Sequence, residues 1–206
     1  TQGVRTIIHA AERLKNNSDI QFVVVGEPSQ LAELEALSNK LKIDNVTLLP
    51  FVNRADLPEM LAAANVSLIM QKRQVVGFNM PSKTQVIMAS GRAIIASVPP
   101  DGATAEAVKQ SNSGLVVKPE CPTELARAIQ KLYNSPKIAK AMGDSGRRFA
   151  VQHYSFKQAI ATYENLLAAV LRGEGSRALI PTQPVMVLAP DLHTAERQEI
   201  RERTLT

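Results

Sequence analysis

The stretch GFNMPSKTQVIMASGRAIIAS, residues 77–97, holds the side chains best suited to handling an anion. Ser82-Lys83-Thr84-Gln85 fits the capping-box pattern, Ser followed three residues later by Gln, which starts a helix at Ser82. Free backbone N–H groups in a first helical turn, backed by the positive end of the helix dipole, attract phosphate or carboxylate. Lys83 adds a mobile charge with three donors. Gly91 supplies a left-handed stop, and residues 92–97 read as a short apolar strand closed by Pro99-Pro100. On their own these residues favour the plainer reading, a capped helix with a solvated lysine. The surrounding chain raises the anion reading.

Other chemistry is thinly represented. No His/Cys/carboxylate cluster has metal-ligand spacing, and Cys121 alone makes neither a zinc site nor a disulfide. His9 lies beside an apolar helical stripe and reads as a surface or half-buried imidazole. His153, in QHYS, reads as a packing or capping residue, and His193 falls near the end of the chain. Glu106 reads as a solvated acid in the first turn of a helix. There is no Ser-His-Asp arrangement, and the absence of G-x-x-x-x-G-K argues against an ATPase. No catalytic residue and no cofactor is assigned.

The elements that would position the 77–97 stretch alternate in type. Val4, Ile7, Ile8, Ala11 and Leu14 recur at helical spacing, predicting a helix over residues 3–16. Residues 20–25, IQFVVV, form a continuous apolar run ending at Gly26, as in a parallel strand buried on both faces. A helix marked by Leu31, Leu34, Leu37 and Leu41 follows, then a strand over 46–49, a helix over 56–64 and a strand over 66–70. Beyond the opening stretch come a helix over 103–109, a strand over 114–117, a helix capped by Thr123 and running to Tyr133, and helices over 136–151 and 155–171. This order predicts an α/β fold, a doubly wound, Rossmann-like parallel sheet with helices on both faces. Ligands in such sheets bind beyond the carboxyl ends of the strands, and the loop over 71–81 leaves a strand there. The chain opens inside a helix, so a first strand is expected upstream.

Charge and composition narrow the partners. Totals of 24 basic and 19 acidic residues give a net charge of +5; five arginines and five acids cancel within residues 172–206, leaving 19 basic against 14 acidic side chains in residues 1–171. Such a domain suits an anionic small molecule or an anionic membrane surface. Aromatic residues are only 4%, and no basic run or known nucleic-acid motif appears, which disfavours nucleic acid. No run approaches the ~18 apolar residues of a membrane span. From Arg172 the chain turns Pro-rich and then charged, which predicts a loosely packed or disordered tail, with a brief strand over 184–188 and a charged helix over 194–204 as its only candidates for structure.

Between about Gln2 and Leu171 the segments QGVRTIIHAAERL, IQFVVVGEPSQLAELE, NVTLLPFVNRADLPEMLAAANVSLI, MPSKTQVIMASGRAIIAS, SGLVVKPECPTELARAI and MGDSGRRFAVQHYS follow one another. This order resembles the C-terminal domain of GT-B glycosyltransferases of family 4, or group 1, in the branch typified by colanic-acid biosynthesis. The resemblance implies a donor-binding domain over residues 1–171, a partner N-terminal domain holding the acceptor, and a nucleoside diphosphate sugar as donor. It also implies a role in bacterial polysaccharide synthesis, with a saccharide or lipid-linked acceptor, in the cytoplasm or at the inner face of the membrane.

Carried over by position, the resemblance places Gly77, Met80, Pro81, Ser82 and Lys83 against the donor diphosphate. Phe51, Val52 and Arg54 would lie at the nucleoside, with Gln85 as a polar candidate nearby. For Phe51 a place in the core at the end of a strand weighs equally. The pattern departs from the family at one point. Many members carry two glutamates eight positions apart, and Phe78 and Val86 stand in their places here. A paired-glutamate mechanism is therefore not supported. That departure keeps open a non-catalytic nucleotide-binding or scaffold module of the same fold, and fold similarity keeps open half of a nucleotide-sugar epimerase.

Overall fold

The computed structural model describes residues 3–74 and 80–172. It divides into two compact units, Thr1–Ala150 and Val151–Thr206. The sequence-predicted tail strand and tail helix, with Gly77 and Phe78, lie outside the described residues.

In the first unit, α1 (Arg5–Leu14), β1 (Phe22–Gly26), α2 (Pro28–Leu41) and β2 (Val46–Pro50) open the chain. A 3-10 turn (Arg54–Asp56), α3 (Leu57–Ala63) and β3 (Val66–Met70) follow. Then come α4 (Lys83–Ala89), β4 (Ala93–Ser97), α5 (Ala103–Gln110), β5 (Gly114–Val117), α6 (Pro122–Tyr133) and α7 (Pro136–His153), which crosses the division. The second unit holds α8 (Phe156–Leu171). It starts where Ser155 Oγ accepts the backbone N–H of Gln158, an N-cap at the residue where the sequence predicts the helix to begin.

All strand pairs among the described residues are parallel, as expected for strands joined by helical crossovers. The hydrogen bonding nevertheless forms two sheets rather than the single predicted one. β1 pairs with β2, Phe22 opposite Val46, while β3, β4 and β5 form a second sheet in that order. Neither β1 nor β3 bonds to the other, so each keeps one edge without a strand neighbour among the described residues. Both sheets contribute to one core, in which Ile8 and Ala11 of α1 meet Phe22 and Val24 of β1, Ile95 of β4 and Leu125 of α6.

Burial follows position in these sheets. All five residues of β4, the central strand of three, are buried, which requires cover on both faces. β1 has the same continuous apolar sequence, but Val23 is 59% exposed. The expectation of a strand buried on both faces therefore fails for β1, whose second face stays wet.

One left-handed stop and two close approaches fix how these elements seat. Gly91 adopts φ +74°, the left-handed stop expected after α4. A Cβ on Gly143 of α7 would lie 2.1 Å from the Gly91 carbonyl oxygen, so a glycine is required where α7 passes the start of β4. A Cβ on Gly114 would lie 1.8 Å from the Ile94 oxygen. Two sequence-predicted starts also shift. α6 begins with Cys121 at the N-cap and Pro122 in the first position, not at Thr123, because proline's fixed φ suits that position. α3 is preceded by its own 3-10 turn.

Candidate binding site at the carboxyl ends of the strands

The carboxyl ends of β3, β4 and β5 are tied together beyond their ladders. Gln71 N–H donates to the Ser97 carbonyl at 2.9 Å, and Val98 N–H to that of Val117 at 3.3 Å. Ser97 Oγ donates to the Lys118 carbonyl at 3.2 Å. Glu120, held at φ +56°, accepts the Arg73 N–H at 3.2 Å and thereby ties the chain leaving β3 to the loop after β5. Glu124, in the first turn of α6, accepts the Lys118 N–H at 3.0 Å and stands 3.4 Å from Lys118 Nζ. The Lys118 N–H hydrogen bond is the leading cause that holds the Glu124 carboxyl below the ordinary glutamate range, with the Lys118 charge adding to it. The result is a braced rim of backbone on the side where open α/β sheets bind ligands.

α4 enters from this rim. Met80 is 5% exposed and anchors the incoming chain, Pro81 is half-buried, and Ser82 and Lys83 are exposed. Thr84 N–H donates to the Pro81 carbonyl at 2.9 Å, closing a turn ahead of the helix. The capping box expected here does not form. Ser82 sits in helical φ/ψ (−55°, −26°) and its side chain makes no cap hydrogen bond. A side-chain cap needs an extended backbone at the N-cap, whereas the Pro81 turn has already wound Ser82 into helical geometry. The Ser82 hydroxyl and the Lys83 ammonium therefore both stand at the solvent-facing start of α4. Thr84 is fully buried, and its Oγ1 has no hydrogen-bond partner among the described residues.

The remaining sequence-predicted residues divide by burial. Phe51 is 62% exposed and Val52 37% exposed, directly beyond β2, which removes the core reading of Phe51. Arg54 is exposed in the 3-10 turn. Gln85 is 3% exposed, on the inner side of α4, and Val86 next to it is half-buried. Sequence reasoning missed Glu120 and Gln71, which brace the rim. Their partners lie 47 and 26 residues away, and no local periodicity signals such contacts. His9 sits 3.7 Å from Glu12 on α1 and Glu106 accepts from Gln110 at 2.8 Å, both local helical pairs away from any cluster. Among the described residues no group of three His, Cys, Asp or Glu could hold a metal, and no helix is long and apolar enough to cross a membrane.

Comparison with known proteins adds a family match. The family model described as glycosyl transferases group 1 matches residues 1–149. The MMP alpha-(1->4)-mannosyltransferase of Mycolicibacterium hassiacum is 31% identical over 182 residues, which is 82% of this chain and 41% of that protein. A glycosyl transferase of Escherichia coli named for colanic acid biosynthesis, WcaI, is 28% identical over 145 residues, 66% of this chain and 33% of the relative. The C-terminal domain of the group 1 protein LpcC from Francisella tularensis superposes with a TM-score of 0.62 at 25% identity, covering 76% of this chain and 81% of that one. HepE from Anabaena, solved with UDP-glucose, shares the fold at a TM-score of 0.65 and 20% identity, covering 84% of this chain and 45% of its own. The chain thus spans about two fifths of the length of the first curated relatives it matches.

Proposed function

The chain belongs to the group 1 glycosyl transferases, and from that premise we propose that it is the donor-binding part of an enzyme that moves a sugar from a nucleoside diphosphate to a saccharide or lipid-linked acceptor. Residues 1–171 form the donor domain and residues 172–206 a tail. The observation that carries this reading is the start of α4, where the exposed Ser82 and Lys83 stand at the braced carboxyl end of a parallel sheet. The relatives support it, since one is named a mannosyltransferase and a structure of the same fold was solved with UDP-glucose.

In this reading the main chain over residues 80–83, with Gly77, meets the diphosphate. Lys83 neutralises the charge that grows on the leaving diphosphate as the anomeric C–O bond breaks. Phe51 and Val52 offer an exposed apolar surface to the base, with Arg54 beside them. Gln85, the polar candidate at the nucleoside, is buried on the inner side of α4. The acceptor, and the groups that contact it, belong to a further domain of the longer protein, acting in the bacterial cytoplasm or at the inner membrane face.

Calorimetric titration with UDP, GDP and ADP tests the proposal. One diphosphate binds, and Lys83→Ala weakens it about tenfold, as expected for a charge-assisted contact. Failure of all three to bind, here and in the full-length protein, overturns it. A second reading, a non-catalytic nucleotide-binding module, is favoured by Val86, an apolar side chain where many members carry a carboxylate. Under that reading a diphosphate binds while the full-length protein transfers no sugar.

A further inference from the structure

Glu120 adopts a backbone conformation that its own type does not favour. Among the described residues, Lys42, Asn112 and Glu120 are the non-glycine residues at positive φ. Lys42 caps the end of α2, its N–H donating to the Asn39 carbonyl. Asn112 follows α5, donates to the Lys109 carbonyl, and is a type that tolerates the left-handed region. Glu120 ends no helix. It follows β5 at φ +56°, where a Cβ crowds the backbone and glycine would fit without that cost. What glycine lacks is the carboxylate, and Glu120 Oε2 accepts the Arg73 N–H at 3.2 Å. Among the described residues this is the one hydrogen bond made by residues 72–74.

The loop that carries Glu120 is itself fixed. Glu124 holds the Lys118 N–H, and Ser97 Oγ donates to the Lys118 carbonyl. The chain entering α1 passes the same point: a Cβ on Gly3 would lie 3.7 Å from the Gln71 carbonyl oxygen and 3.8 Å from Glu120 Cγ. The chain leaving β3 is thus pinned at Arg73 by Glu120, and again at Met80 by burial. Ordering a binding segment when its ligand arrives costs affinity, and a pinned start lowers that cost. We propose that Glu120 is a positioning residue for the donor. Its carboxylate fixes where the chain leaves β3, and thereby how Ser82 and Lys83 are presented to the diphosphate. The role rests on the assignment of Ser82 and Lys83 to the diphosphate, and it is exerted through the Arg73 backbone rather than by touching the donor. It also explains a glutamate where glycine would suit the backbone better.

Glu120→Gly and Glu120→Gln, titrated with UDP, GDP and ADP in the 206-residue chain and in the full-length protein, test it. Glu120→Gly keeps or raises Tm, because glycine accepts φ +56° freely, yet it weakens the bound diphosphate roughly fivefold. Glu120→Gln keeps an acceptor oxygen for the Arg73 N–H and holds affinity within about twofold of native. Without ligand, the Arg73 amide exchanges its hydrogen roughly tenfold faster in the glycine variant than in the glutamine variant. Unchanged affinity in Glu120→Gly, while Lys83→Ala still weakens the diphosphate, overturns the proposal and leaves the donor site standing. A loss of affinity that follows a fall in Tm, or that Glu120→Gln shares, makes the role merely structural and overturns it too. Failure of all three diphosphates to bind either protein removes the donor reading and this proposal together.

Discussion

At the scale of single residues, placement separates groups that one short sequence holds together. Ser82, Lys83, Thr84 and Gln85 are consecutive, yet the first two are exposed and the last two are buried. Position along the helix sets that difference, so Lys83→Arg should retain part of the diphosphate affinity that Lys83→Ala loses. Titration of both variants beside the native chain checks this, and equal affinity in all three would remove Lys83 from the site. Glu124 makes a separate, pH-dependent prediction. Its carboxyl is held below the ordinary glutamate range in the folded chain by the Lys118 N–H and ammonium. The folded pKa is therefore below the unfolded one, so this contact stabilises above the ordinary glutamate pKa and is lost as pH falls through the lowered value. Glu124→Gln should lower Tm at neutral pH, and the difference from the native chain should vanish in acid; a difference independent of pH would remove the charge from the explanation. The start of α4 at Lys83 was legible in the sequence because a Pro-Ser-Lys run before an apolar helix is a local signal. Glu120 was not, because it acts on Arg73 across 47 residues.

At the scale of elements, local signals placed the helices and strands while contact geometry set their exact ends and faces. Gly91 was readable as a helix stop because its left-handed conformation is a local requirement. The capping box at Ser82 was misleading because the Pro81 turn wound the backbone first. The need for Gly143 and Gly114 was hidden, since it arises from the carbonyls of Gly91 and Ile94 passing close by. Each should fail with alanine. Gly114→Ala forces β4 and β5 apart, and a loss of about 3 kcal/mol is expected from overpacking, seen as a fall in Tm of roughly 6–12 °C. Gly143→Ala should cost a similar amount by displacing α7. A substitution at Gly26, where a Cβ would meet only Leu31 and Gln30 side chains at 3.6 and 3.9 Å, serves as the mild control. Equal melting of all three variants would show that the close contacts relax without cost.

At the scale of the whole molecule, the chain spans about two fifths of its first curated relatives, and that extent bears on activity. If the acceptor is held elsewhere in the longer protein, this chain binds a nucleoside diphosphate without transferring sugar, while the full-length protein does both. Product analysis of the two proteins with the same donor checks this, and transfer by the chain alone would place the acceptor site within it. The sequence by itself determined the class of the fold, the family and the order of elements, because apolar periodicity, turn residues and motif order are properties of neighbours along the chain. Tertiary structure alone decided that the strands form two sheets, that Val23 faces water while β4 is closed on both sides, and that Phe51 is exposed. It also decided that the loops after β3 and β5 are braced by Glu120. These depend on which backbones approach one another through space, and burial and long-range hydrogen bonds carry no period along the sequence.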